Sequence, residues 1–266
     1  MVPFNTRLSR LIQSQRSALC VGLDLAPETL PGTYRNLKDL RRLTATIIEA
    51  TKDVTVAYKP NLAFFERWGS PGYKWLEETM NFFDDQVVVI GDAKRGDIGT
   101  SAWQYARALF DHFGFDAVTV NPYMGREAIE PFVENPQRGA FILCRTSNPS
   151  ACDLQDLVVG EGTVYERTAR LAVKLNVRNN VGLVVGATAP REVQRIRTLA
   201  PGVPFLLPGV GAQGGDLETC LRRANQDGLA LITISRGITH VGDGSYQAIR
   251  AAAHTYAQRI QALLSE

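Results

Sequence analysis

Val87-Val88-Val89-Ile90-Gly91 runs straight into Asp92-Ala93-Lys94-Arg95-Gly96-Asp97-Ile98. The first part is continuously apolar and mostly β-branched. A strand buried on both faces needs that composition, and such strands belong to parallel sheets covered by helices. The charges begin where the apolar run stops. Asp92 and Lys94 are two positions apart, so on an extended strand their side chains point to the same side.

Similar runs recur at 18–23, 54–58, 117–120, 140–144, 181–186, 203–207 and 229–234, making eight with the first. Between them lie stretches with helical spacing. Leu37, Leu40, Leu43, Ile47 and Ile48 form one stripe; Ala106, Leu109, Phe110 and Phe113 form another. Ile249, Tyr256, Ile260, Leu263 and Leu264 mark a last helix within 243–264. Eight strand–helix alternations predict an α/β fold, the closed (β/α)8 TIM barrel. The 266 residues suit one such domain, since these barrels need about 250. Residues 3–16 predict an extra helix capping the barrel bottom. Residues 146–163 form a long loop-like stretch after the fifth strand, the natural place for an active-site lid.

Hydrophobic residues make up 45% and charged residues 21%, enough apolar material for a large core. The formal net charge of +2 gives no reason to expect nucleic acid or an anionic membrane as partner. No apolar run reaches the roughly 18 residues of a membrane span, and the N-terminus lacks the apolar core of a signal peptide. The four cysteines form no CxxC pair, and no Cys/His cluster has zinc-ligand spacing. Cys20 and Cys144 sit in apolar runs and read as buried thiols of a reducing cytoplasm. His112, His240 and His254 read as helix-surface or loop residues, and Trp68, Trp75 and Trp103 as packing residues.

In a barrel, charges at the C-terminal end of a strand meet the active-site mouth. A generic DxKxxD could equally be a strand-end salt bridge. The whole string, DAKRGDIG, resembles the motif of the orotidine 5′-monophosphate (OMP) decarboxylase family. GLD at 22–24, YKPN at 58–61, RTSNP at 145–149, PGVGAQGGD at 208–216 and ISRGI at 234–238 match the same family, in family order. The wording is similar to the bacterial group called type 2.

That resemblance implies cofactor-free conversion of OMP to UMP and CO2, with no metal. It implies that Lys94 stabilises a C6 carbanion and protonates it, with Asp92 and Asp97 holding the ammonium and Lys59 extending the charge network. Asp24 and Lys59 would contact ribose hydroxyls, with Asn61 beside them. Ser147 of the Thr146–Ser147 pair would contact the pyrimidine, and Pro208 would wall the base. Gln213, Ser235 and Arg236 would hold phosphate, where barrel loops commonly bind it. Gln213 and the 146–163 loop are expected to close over the ligand. A homodimer also follows from the resemblance, with Asp97, Ile98 and Ser101 completing the partner's site; Thr100 beside Ser101 leaves the hydroxyl open. Two rivals share these features: a Mg2+-dependent sugar-phosphate enzyme of the same suprafamily, and a non-catalytic phosphate-binding barrel. The first needs a metal-binding glutamate near the second strand's end, where this chain has Lys59-Pro60-Asn61, with Glu66 farther along.

Overall fold

A computed structural model describes residues 1–31, 34–187, 190–209 and 217–265. In chain order the strands are β1 (Leu19–Leu23), β2 (Ala57–Pro60), β3 (Val88–Arg95), β4 (Ala117–Val120), β5 (Gly139–Arg145), β6 (Val158–Val159), β7 (Gly162–Thr163), β8 (Val181–Val185), β9 (Phe205–Leu207) and β10 (Ala230–Ile234). All but β6 and β7 close a parallel barrel in the order β1-β10-β9-β8-β5-β4-β3-β2. Cys20 is opposite Ala57 on one side and Thr233 on the other, so β1 is hydrogen-bonded to both β2 and β10 and closes the barrel. The strands are buried through most of their length because helices cover their outer faces.

The helices are α1 (Phe4–Gln15), α2 (Leu37–Thr51), α3 (Leu62–Glu66), α4 (Ser70–Met80), α5 (Gly99–Arg107), α6 (Glu130–Val133), α7 (Val164–Leu175), α8 (Pro190–Leu199), α9 (Leu217–Asn225), α10 (Arg236–Thr239) and α11 (Tyr246–Leu264). Leu40, Leu43, Ile47 and Ile48 of α2 are buried as their spacing predicts. The stripe through Leu109 and Phe110 lies in a π-helical turn, Ala108–His112, that continues α5. Asn36 caps α2 by accepting from the Asp39 N–H.

α1 lies across the N-terminal ends of the strands. Phe4 packs edge-on against Phe141 of β5 at 6.0 Å. The Asn5 amide donates to the Val181 carbonyl at 3.0 Å, and Arg7 pairs with Asp116 at 2.8 Å.

The structure differs from expectation in four places. The second strand begins at Ala57, not Val54, because the end of α2 takes the intervening backbone: Val54 N–H and Thr55 Oγ1 both donate to the Thr51 carbonyl. β3 continues past its apolar run to Arg95, carrying the charged residues within the strand. Residues 146–163 are not an unstructured loop. They hold a 3-10 turn, Pro149–Asp153, and the β6–β7 hairpin, and they end in a capping box between Thr163 and Glu166. Trp75 is buried against Phe65, whereas Trp103 is 39% exposed and does not pack as expected. Cys20, Cys144 and Cys220 are buried cysteines outside any disulfide; Cys152 is exposed.

Candidate active site

Parallel alignment brings the ends of β2 and β3 together, with Asn61 bridging to Asp92. Lys59 and Asp92 thereby face each other. Lys59 Nζ donates to Asp92 Oδ2 at 2.6 Å, and Lys94 Nζ donates to Asp92 Oδ1 at 2.6 Å. One carboxylate holds two ammonium groups in different surroundings. The Lys59 side chain is 5% exposed, whereas that of Lys94 is 50% exposed and opens to the mouth.

Burial alone would discharge Lys59 and Asp92. For Lys59, burial pushes the pKa down, but the Asp92 and Asp24 carboxylates outweigh it and hold it above the ordinary lysine range. For Asp92, burial pushes up, but Lys59 and Lys94 outweigh it and hold the carboxyl well below the usual range. Both remain charged at neutral pH because each supplies the other's counter-charge.

β3 does not reach this geometry as a regular strand. Gly91 aligns with Val118 of β4, yet Arg95 aligns with Val120, so the register slips between them. Lys94 takes φ 49° there, a left-handed conformation rare outside glycine, asparagine and aspartate. Holding an L-residue there costs about 1–2 kcal/mol. Lys94 N–H donates at 2.9 Å to Thr119 Oγ1, and that buried hydroxyl donates to Asp92 Oδ1 at 2.9 Å. Thr119 was not among the residues singled out from sequence. Its only signal is a hydroxyl at an otherwise apolar strand's mouth end.

Across the mouth, Asp24 follows β1 and Ser235 follows β10. Ser235 Oγ donates to Asp24 Oδ2, while Asp24 Oδ1 is buried without a hydrogen-bond partner. Gly22 makes this approach possible: a Cβ there would lie 1.9 Å from Ser235 Oγ. Arg236 opens the short helix α10, and its side chain is exposed.

On β5's side, Thr146 is tied into its own loop. Its hydroxyl donates to Asn148 Oδ1 at 2.6 Å and accepts from Gln155 Nε2 at 2.7 Å. Ser147 lies against Gly186, where a Cβ would come within 2.9 Å of Ser147 Cα. With Arg145, Asn148, Arg191 and Arg223 it lines a cavity of about 570 Å³. Asn61 Oδ1 caps α3 by accepting from Ala63 N–H at 3.3 Å. The Pro208 carbonyl accepts from Ala187 N–H at 2.9 Å. Gln213 lies outside the described residues.

Asp97 does not join the Lys94 cluster within this chain; its Oδ1 accepts from Ile98 N–H at 2.8 Å. Ile98 is 56% exposed, and Thr100 and Ser101 are exposed in the first turn of α5. Glu66 pairs with Arg95, whose guanidinium also stacks over Tyr105. Among the described residues no three His, Cys, Asp or Glu side chains are grouped to hold a metal ion. The histidines pair with Glu77, Thr29 and Asp53, away from Asp92. No described helix is long and apolar enough to cross a membrane.

This arrangement has relatives of known kind. A Herpetosiphon aurantiacus orotidine 5′-phosphate decarboxylase is 44% identical over 94% of this chain and 95% of its own length. One from Haloarcula marismortui is 47% identical over 90% of this chain and 88% of its own. The structure of Leishmania donovani OMP decarboxylase superposes with a TM-score of 0.87 at 37% identity, covering 100% of both chains. Residues 17–251 match the sequence profile of one family along nearly the whole barrel. On this evidence the chain belongs to the Orotidine 5'-phosphate decarboxylase / HUMPS family.

Proposed function

We propose that this chain decarboxylates OMP to UMP and CO2 in de novo pyrimidine biosynthesis, without cofactor or metal. The observation that carries this reading is the Lys59–Asp92–Lys94 array, in which one ammonium is buried and the other faces the mouth. The C6 carboxylate leaves as CO2 and its bonding pair stays on C6. The Lys94 ammonium stabilises that charge and gives C6 its proton; the resulting amine regains one from solvent. Asp92 fixes the ammonium and Lys59 secures Asp92. Asp24 Oδ1, buried and unpartnered, suits a ribose hydroxyl donor. Asn61 stands beside it, Ser147 meets the pyrimidine, and Pro208 walls the base. Ser235, Arg236 and Gln213 take the phosphate, Arg236 through its planar fork.

The working unit is a homodimer, with residues 1–266 one decarboxylase domain capped below by α1, acting in the cytoplasm. Exposed Ile98, Trp103, Tyr123 and Met124, clustered in the segments after β3 and β4, are apolar surface a partner would cover. From there Asp97, Ile98 and Ser101 reach the partner's site.

The metal-dependent branch of the family fits less well. Lys59 puts a buried positive charge near the second strand's end, and Glu66 is committed to Arg95. The test is the absorbance change on adding OMP to EDTA-treated protein. Turnover is expected, falling at least about a thousandfold in Lys94→Ala. Turnover only after Mg2+ is restored would move the chain to the metal-dependent branch. No turnover despite tight UMP binding would leave a binding barrel.

A further inference from the structure

Thr119 stands between the main chain of Lys94 and the carboxylate that holds the Lys94 side chain. It is 2% exposed, on β4, and touches none of the groups assigned above to substrate except through these two bonds. Its hydroxyl has one proton. Because Lys94 N–H donates to the oxygen, and Asp92 Oδ1 only accepts when ionised, that proton lies on the Asp92 side. The result is a closed ring. Lys94 N–H donates to Thr119, Thr119 donates to Asp92 Oδ1, and Lys94 Nζ returns to the same oxygen.

This ring sits at the register slip, where the regular ladder between β3 and β4 supplies no pairing between Gly91 and Arg95. Either side of it the backbone is anchored. Gly91 aligns with Val118, and Asn121 N–H donates to the Arg95 carbonyl at 2.7 Å. Within the slip, Thr119 is what Lys94 N–H has in place of a strand carbonyl. A left-handed, non-glycine residue persists only when its surroundings over-determine it, and here a side-chain hydroxyl does so.

We propose that Thr119 is a positioning residue for the decarboxylation. It selects the left-handed Lys94 backbone and orients Asp92 Oδ1, so that the ammonium points into the mouth at a fixed place. The proposal rests on the reading of Lys94 as the proton donor. It predicts a split between catalysis and binding, because the ribose, base and phosphate contacts lie on other loops.

The test is steady-state kinetics on Thr119→Val, Thr119→Ser and wild type, with UMP affinity measured beside them. Valine keeps the shape but leaves Lys94 N–H unpaired and Asp92 Oδ1 one donor short. An unsatisfied buried donor is expected to lower kcat about 10- to 100-fold. KM for OMP and Kd for UMP should stay within about threefold, since only an interaction specific to the reacting centre has gone. Thr119→Ser should recover kcat to within about fivefold of wild type, because the hydroxyl returns even though the methyl does not.

Undiminished kcat in Thr119→Val would overturn the inference. So would a serine variant as impaired as the valine one, which would assign the effect to packing. If Thr119→Val does not fold, Thr119→Ser against Thr119→Ala decides on the same readouts. A wild-type chain that fails to turn over OMP would sink the functional reading itself, a separate outcome from any of these.

Discussion

Lys59 and Arg197 are both buried cations, 4% and 1% exposed, at opposite ends of the barrel. Lys59, at the mouth, is answered by carboxylates, and they hold its pKa above the ordinary range despite burial. Arg197, on α8 near the bottom, is answered by carbonyls. It donates to Ala224, Ala200 and Val203 at 2.7–2.9 Å and lies 3.7 Å over the Phe205 ring. Burial pulls its pKa down to about 10, with Asp227 opposing only in part. Carbonyl dipoles satisfy the donors without cancelling the charge, so this guanidinium ties together the turns that lead into β9 and β10. Carboxylates cancel charge and leave the ammonium groups as reagents. The contrast matches the barrel's division of labour, with chemistry above and stability below.

Asp92→Asn should have the largest effect on this contrast. It removes the carboxylate hydrogen-bonded to buried Lys59 and leaves only that of Asp24 to offset the charge, expected to cost about 3 kcal/mol of stability along with most activity. The pH dependence follows from the two shifts. Asp92 is depressed below 3.8, so its contribution is full above that value and is lost as pH falls through the folded pKa. Lys59 is raised above 10.5, so its contribution is full below that value and is lost as pH rises through the folded pKa. Urea midpoints measured from about pH 5 down to about pH 2 should therefore fall more steeply with acid in wild type than in Asp92→Asn. Equal slopes would mean that the acid sensitivity lies in other carboxylates.

Arg197→Met tests the other end. It keeps apolar bulk but leaves carbonyls unpaired, and should cost about 2 kcal/mol in urea unfolding. The kcat per folded molecule should stay within about twofold of wild type. A large fall in kcat at unchanged stability would instead place Arg197 with the groups that act at the mouth. Asp227→Asn should have the smallest effect, under about 0.5 kcal/mol. A larger loss would show that Arg197 depends on this exposed carboxylate rather than on carbonyls.

Much of the barrel was legible because buried parallel strands leave unbroken apolar runs, as at 87–91 and 140–144. Boundaries failed where helix ends compete for backbone, as Thr51 does with Val54 and Thr55. Asp92, Lys94 and Lys59 were legible as charges at strand ends and are brought together. Thr119 was not, because its task depends on a register slip and a left-handed lysine that no local pattern encodes. Arg197 is one of three arginines on α8, and nothing local marks it out, because its partners are carbonyls, which are the same in every sequence.

The helix α1 carries a consequence for biosynthesis. Its Phe4, Leu8 and Ile12 are made well before their seat. Phe4 N–H donates to the Pro136 carbonyl, and Asn5 bonds Asn176, Asn179 and Val181. On a ribosome emitting the chain N-terminus first, this greasy helix has no complete seat until translation has passed Val181. α1 is thus seated long after it is made, and until then the nascent chain carries an unsatisfied apolar face that a chaperone can hold.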